Sequence, residues 1–237
     1  MQTFEGFCPI CEQDVIFAAE NSWFRDHLLC PGCSSIPRER ALMVALDQFA
    51  PNWRVRTIHE SSPGTRGVSP KLQAEARSYI PTQYFPGAAP GAIVKGFRNE
   101  NFSKLTFADN SIDIHISQDV MEHVFDIDSA FAEISRTLKP GGMHIFTVPV
   151  TQRTGTTVQR ASIQEGTGKI VHLLDPVYHG NPVSSKGSLV VWDWGYDIVQ
   201  RIHKASDMYT VVMLTDDITR GIRAEYNDVL ISINTAN

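Results

Sequence analysis

The four cysteines of this chain all precede Ser34, as "CPIC" (Cys8, Cys11) and "CPGC" (Cys30, Cys33). Two C-x-x-C knuckles at that spacing predict a four-cysteine ribbon around a structural zinc ion. Each tight turn aims two thiolates at one point, and two turns complete a tetrahedron. About 30 residues bury too little core to fold alone, so the metal supplies folding free energy. Disulfides or redox chemistry are the competing reading. The N-terminus "MQTFEGFCPICEQD" lacks the basic start and apolar core of a signal peptide. A cytoplasmic chain is therefore the expectation, and structural disulfides are rare there. The predicted ribbon covers residues 1–36 and leaves no coordination position open for catalysis. Residues 1–40 hold six acids (Glu5, Glu12, Asp14, Glu20, Asp26, Glu39) against three bases (Arg25, Arg38, Arg40). That balance favours a packing or gating role over docking to RNA.

The remaining residues, 37–237, read as one α/β domain. "SSIPRERALMVALDQFA" predicts a helix capped by Ser34 or Ser35, with Pro37 in its first turn and Leu42, Ala45, Leu46 and Phe49 on its buried face. "WRVRTIHE" reads as a strand with Val55 and Ile58 in its core, "SPKLQAEAR" as a short helix, and "SYIPTQYF" as a second strand interrupted by Pro81. "GAIVKGF" is a candidate third strand. "SIDIHIS" alternates, with Ile112, Ile114 and Ile116 on one face. "DSAFAEISRTLKPGG" predicts a helix capped by Asp128 or Ser129, striped by Phe131, Ile134 and Leu138, and stopped by Lys139, Pro140 and Gly141. "MHIFTVPV" follows as a strand. Residues 150–186, rich in Gly, Thr, Ser and Pro, predict a lid or binding insertion. "WGYDIVQRIHKA" predicts a helix, and "MYTVVML" and "EYNDVLISIN" two closing strands in an antiparallel hairpin. Alternating strands and helices predict a Rossmann-like, mostly parallel sheet with helices on both faces, whose ligands bind at the carboxyl ends of the strands. The net charge of −5 disfavours sequence-independent binding to nucleic acid. No apolar run approaches the roughly 18 residues of a membrane span.

"LTFADNSIDIHISQDVMEHVFDIDSAFAEISRTLKPGGMHIFTVP" resembles the class I S-adenosylmethionine-dependent methyltransferases. The resemblance lies in L-x-F-x-D-x-S-(I/F)-D, then x-x-E-H, then R-x-L-K-P-G-G. It covers about residues 53–150, and "YHGNP…GSLV…WGYDI" resembles a narrower subgroup that carries an N-terminal cysteine ribbon. The resemblance implies a seven-stranded sheet and S-adenosylmethionine as cofactor. It also implies an acidic strand end followed by a glycine-rich turn, D/E-x-G-x-G-x-G. In "TIHESSPGTRG" Glu60 takes the acidic place, Ser62 replaces the first glycine, Gly64 keeps the second, and Arg66 or Gly67 falls near the third. Glu60, Ser61, Ser62, Pro63 and Gly64 are thus the expected cofactor loop, a variant one. The methionine and ribose of the ligand carry no phosphate, so a phosphate cradle is not needed. The second strand lacks the family's ribose-binding acid. Gln83 stands in for it, with Tyr84 or Phe85 against the adenine. Asn101 and Phe102 are expected in the adenine loop, where Glu100 competes with Asn101 for the acid's place. Gln118 and Asp119 are expected to face the sulfonium, Asp119 with a helix N-cap as its alternative role.

Methyl transfer is an in-line displacement, and a hydroxyl acceptor also needs a base. His179 in "DPVYHGNP" is the leading candidate beside Tyr178, with His172 and His123 in reserve. Glu122 and His123 read as structural polar groups on a short helix. The expected acceptor is a small molecule or a sugar-containing compound. The alternatives are an RNA methyltransferase docked through the ribbon, or a cofactor-binding partner module without turnover.

Overall fold

The computed structural model describes residues 1–181 and 185–235, so residues 182–184 of the expected lid lie outside the described residues. The chain opens with an antiparallel hairpin, β1 (Gln2–Cys8) and β2 (Gln13–Ala19), then a one-turn helix α1 (Phe24–His27) and the long helix α2 (Pro37–Phe49). Next come β3 (Thr57–Ser61), α3 (Val68–Glu75), β4 (Ser78–Gln83), β5 (Ile93–Val94), β6 (Phe97–Asn99), β7 (Ile112–Gln118), α4 (Ile127–Thr137) and β8 (Leu138–Thr147). Short strands fill the insertion: β9 (Val158–Gln159), β10 (Ala161–Ile163), β11 (Ile170–His172), β12 (Tyr178–His179), β13 (Ser188–Leu189) and β14 (Trp192–Asp193). Helix α5 (Ile198–Ser206), β15 (Tyr209–Met213) and β16 (Val229–Ile233) close the fold.

The central sheet runs β15-β16-β8-β7-β3-β4-β6-β5. Its five inner strands, β8 to β6, are parallel, while β16 pairs antiparallel to β8 and β15 antiparallel to β16, as the closing hairpin predicts. The sheet has eight strands rather than seven. "GAIVKGF" is not one strand: Lys95 and Gly96, both at positive φ, turn it back on itself, and β5 and β6 form a small hairpin at the edge. Pro81 is tolerated inside β4 because β6 pairs only with Thr82 and Gln83, which leaves that flank of Pro81 without a ladder partner.

Helices α2 and α3 cover one face, against Ile58, Ile114, Ile116, Ile145 and Ile231. Helices α4 and α5 cover the other, with Phe131, Ile134, Ile198 and Ile202 against Phe146 and Leu230. Ile112 joins this second core, apart from Ile114 and Ile116, where the pairing of β7 with β8 shifts register. The α2 stripe is as predicted, with Leu42, Ala45 and Leu46 fully buried. Its cap differs. Ile36 occupies the N-cap position and donates its backbone N–H to Glu39 at 2.9 Å, so neither Ser34 nor Ser35 is needed. Helix α4 is capped by Asp126, which accepts from the Ser129 backbone at 3.2 Å, in place of Asp128 or Ser129, and ends at Thr137, short of the Lys139–Gly141 stop. Val55 is exposed in a 3-10 turn, and Trp53 takes the buried place expected of it.

The N-terminal cysteine segment, expected as a separate ribbon, shares its core with the sheet. Cys8, Phe17 and Leu28 pack in the same cluster as α2 and Ile58. The fully buried Arg40 of α2 stitches the two together, donating to the carbonyls of Ser35, Leu28 and Gly221 and lying 4.6 Å over the Phe17 ring. A Cβ on Gly6 would meet the Thr219 carbonyl at 2.0 Å, so the 3-10 turn Ile218–Arg220 rests directly on β1. Among the described residues no helix is long and apolar enough to cross a membrane.

Candidate active site

The carboxyl ends of β3, β4 and β7 lie side by side, because Glu60 pairs with Pro81 and Ile116, and Ser61 with Thr82 and Ser117. Glu60 is fully buried there. It accepts hydrogen bonds from Ser69 at 2.7 Å, Tyr79 at 2.6 Å and Gln118 at 3.1 Å. Burial pushes its pKa up, against the hydrogen bonds that favour its charged form. Glu60, expected in the cofactor loop, and Gln118, expected to face the sulfonium, are thus joined directly.

In the loop after Glu60, Ser62 takes a left-handed conformation (φ 55°) in a place expected for glycine. Its backbone N–H donates to the Thr82 carbonyl at 2.8 Å. Gly64 has space around it: a Cβ would meet nothing nearer than 3.8 Å. Gly67 does not. It sits at φ 63°, ψ −125°, a conformation restricted to glycine, and a Cβ would stand 2.3 Å from the Glu39 carboxylate. The loop therefore backs onto the cap of α2, and its obligatory glycine is the last one.

Tyr84 and Asn101 line a cavity of about 180 Å³ with Phe85, Pro90, Asn99 and Lys104. Gln83 is buried at the end of β4, beside Asn99. Glu100 is consumed by Arg98 and Thr106 and is not free for a ligand. Phe102 does not face this cavity. It is buried among His59, His115 and His144, with ring centroids 5.7–6.4 Å away.

Asp119 follows Gln118 at φ 51° and caps no helix. Arg25 of α1 meets its Oδ2 at 2.5 Å, Arg38 of α2 the same oxygen at 3.2 Å, and Thr147 donates to Oδ1 at 2.9 Å. Burial acts to raise its pKa, but Arg38 and Arg25 outweigh it and hold the carboxyl below its usual range. Asp119, expected at the sulfonium, is held by Arg25 of the N-terminal segment and by Arg38 of α2. Neither arginine had any local signal in the sequence, because each pairing joins the N-terminal segment to the far end of β7.

His179 is half-exposed on β12, with Nδ1 3.5 Å from Glu122 Oε1. His123 places Nε2 3.7 Å from the same oxygen. The neighbouring Glu122 carboxylate raises the His179 pKa against its burial. Tyr178 is exposed beside it, and His172 lies on the exposed hairpin β10–β11. Glu122, His123 and His179 therefore come together just past the end of β7. In the ribbon the four sulfurs lie within 4.8 Å of one another, with Cys8–Cys33 and Cys11–Cys30 both at 3.7 Å, and none is in a disulfide.

Residues 68–146 match the methyltransferase domain family, a span that begins just after the variant loop. A 50-residue stretch is 44% identical to a dimethylglycine N-methyltransferase of Parasynechococcus marenigrum (strain WH8102), covering 21% of this chain and 18% of that protein. The chain thus matches less than a fifth of that relative's length. Among solved structures, an S-adenosylmethionine-dependent methyltransferase from Mesorhizobium loti superposes with a TM-score of 0.51 at 17% identity, over 81% of this chain and 97% of that one. The YcgJ protein of Bacillus subtilis gives 0.51 at 10% identity, over 83% and 99%. The PH0226 protein of Pyrococcus horikoshii OT3 gives 0.50 at 14% identity, over 83% and 88%. The fold is the Rossmann-like methyltransferase fold, and the central third of the chain carries the sequence of a methyltransferase domain.

Proposed function

We propose that this chain is an S-adenosylmethionine-dependent methyltransferase acting on a small-molecule or sugar-containing acceptor, with a structural zinc ion in its ribbon. One observation carries the reading: a buried acid, Glu60, stands one residue before the end of β3 in the parallel part of the sheet, ahead of a loop and helix and beside the ends of β4 and β7. Glu60 and the loop 61–64 would hold the methionine end of the cofactor, Gln83 the ribose, and Tyr84 and Asn101 the adenine. The cofactor supplies a methyl group activated on a sulfonium. The chain's part is to orient the acceptor and exclude water. Tyr178 and His179, on the hairpin over the end of β7, are the acceptor-side residues, and the His179 imidazole can take a proton from a hydroxyl acceptor. Asp119 acts as a positioning residue, because Arg25 ties the ribbon, and Arg38 ties α2, to the site.

The cysteine geometry suits zinc. Tetrahedral coordination with Zn–S bonds of about 2.3 Å sets sulfur–sulfur edges of about 3.8 Å, against the observed 3.7 Å. Four thiolates this close repel one another unless a cation stands between them.

Calorimetric titration of the zinc-loaded chain with S-adenosylmethionine and S-adenosylhomocysteine tests the reading. Micromolar binding is expected. A Cβ at Gly64 meets nothing nearer than 3.8 Å within the chain, so Gly64→Val should fold and lose that binding by filling the ligand's approach. No binding of either ligand at millimolar concentration would overturn the reading.

A further inference from the structure

Glu122 is 1% exposed, and neither of its carboxylate oxygens has a hydrogen-bond partner. A buried carboxylate left this way costs several kcal/mol unless something positive meets it. Two imidazoles flank it. Nδ1 of His123 lies 2.8 Å from the Leu189 carbonyl. A carbonyl only accepts, so Nδ1 carries the proton, and Nε2 of the neutral ring turns a lone pair toward Glu122. Lone pair and carboxylate face each other at 3.7 Å, and His179 Nδ1 stands 3.5 Å from the same oxygen. These separations exceed a normal hydrogen bond of about 2.7–3.2 Å. They approach the edge of about 3.3 Å that three ligands share around one cation at bond lengths of about 2.0–2.1 Å.

The arrangement is held from outside. The hairpin β12–β13 pairs Tyr178 with Leu189 and His179 with Ser188. One strand thus supplies His179, and the other supplies the carbonyl that fixes the His123 tautomer. Val191, just past β13, donates to the Glu122 carbonyl at 2.8 Å and locks the 3-10 turn Met121–His123 beneath it. A metal-ligating histidine usually donates its other ring N–H to an outer acceptor such as a backbone carbonyl, as Nδ1 of His123 does to Leu189.

We propose that Glu122, His123 and His179 form a binding site for a divalent first-row transition-metal ion, separate from the four-cysteine cluster. Two imidazoles and one carboxylate from the turn and the hairpin occupy three positions and leave the others for water or an acceptor oxygen or nitrogen. The proposal does not rest on the methyltransferase reading. It does change the role of His179: the lone pair that would serve as a base is given to the metal, which itself makes a bound hydroxyl more acidic.

The test is Mn²⁺ binding to the full-length, zinc-loaded chain, followed by the electron paramagnetic resonance signal of the free ion. Mn²⁺ prefers oxygen and nitrogen ligands and does not compete for four thiolates. One Mn²⁺ per chain is expected. Glu122→Gln should abolish uptake and His179→Gln should weaken it by about tenfold or more, with the zinc content unchanged at one per chain. His179 is half-exposed on a hairpin, so His179→Gln remains informative even if Glu122→Gln disturbs the fold. Co²⁺ added to the zinc-loaded chain should give weak d–d bands without thiolate charge transfer. The proposal is overturned if Mn²⁺, Co²⁺ and Zn²⁺ all fail to bind beyond the cysteine cluster at millimolar concentration, or if both variants bind Mn²⁺ as the parent does.

Discussion

His59, His115 and His144 stand abreast on β3, β7 and β8, while His123 and His179 flank Glu122 at the carboxyl rim of the same sheet. The first three are fully buried and partnered by neutral groups. Nδ1 of His59 meets Nδ1 of His115 at 2.6 Å, and the remaining partners are Thr82, Thr137 and Ser117 at 2.8–3.0 Å. Only Nδ1 of His144 has no partner. No acid joins this row, and burial pushes His59 and His144 down to about 3 and His115 well below its ordinary value. At the rim the relation is reversed: a buried acid has no donor, and the imidazoles beside it are only part-buried. One residue type thus serves two ends. Surrounded by hydroxyls, imidazole fills a core and must stay neutral; beside a buried carboxylate, it meets the negative charge, as imidazolium or through the metal ion proposed above.

The largest expected effect tests the neutral row. Unfolded histidines bind protons below about pH 6.5, but His59 and His144 in the folded chain do not until about pH 3. The unfolded state therefore holds more protons in that window, and stability is lost as pH falls through it. Three such groups give a loss on the order of 3 kcal/mol between pH 6.5 and 5.5. Urea denaturation at pH 7.5, 6.5 and 5.5 should show a shallow change over the first step and a steep fall over the second. His144→Asn should flatten that fall by about a third.

A pair of substitutions separates the clusters directly. His115→Leu strands His59 Nδ1, while Thr137 keeps its bonds to the Glu133 and Ile134 carbonyls, at a cost of about 1–3 kcal/mol, yet should leave Mn²⁺ binding unchanged. Glu122→Gln should cost little or no stability while removing Mn²⁺ binding. If the two variants lose stability alike and bind Mn²⁺ alike, the distinction between the clusters fails. A smaller effect is expected at the ribbon junction. Arg25→Ala leaves Arg38 on Asp119 and should cost about 2 kcal/mol by thermal unfolding, short of the roughly 3–5 kcal/mol of an unpaired buried charge.

How much of this was legible depends on reach along the chain. The α2 stripe, the α4 stripe and the closing hairpin rest on local periodicity, and all three are present. Cap positions slipped slightly because several residues able to cap stand together before each helix. Glu122–His123 read as an ordinary polar turn, since the third member of its cluster lies far along the chain and arrives only through β12. The Arg25–Asp119 contact had no local signal for the same reason. "HIS" in β7 alternates as a strand should, but nothing local says that His115 would find histidines on both neighbouring strands. Phe102, read as an adenine contact from its place in the motif, was instead drawn into the core by that row of rings.

The loop after Glu60 repeats the contrast in glycines, and Gly64 carries the smallest expected effect on stability. Gly64 keeps the family's place, but a Cβ there finds only ordinary contacts at 3.8 Å. Gly67 lies at the margin of the motif, yet it holds a backbone conformation closed to other residues and abuts Glu39, whose carboxylate caps α2. Gly67→Ala should therefore destabilise by about 1–3 kcal/mol, and Gly64→Ala by no more than about 0.5 kcal/mol. Binding should order them differently if the loop holds a ligand. Gly64→Ala would then weaken S-adenosylhomocysteine at nearly unchanged melting temperature, because its Cβ points into space the chain itself leaves open. Equal melting temperatures for the two variants would show that Glu39 and the loop yield together. The contact of α2 with the loop would then be a loose one, and the hold of the N-terminal segment and α2 on the end of β7 would rest on Asp119 with Arg25 and Arg38.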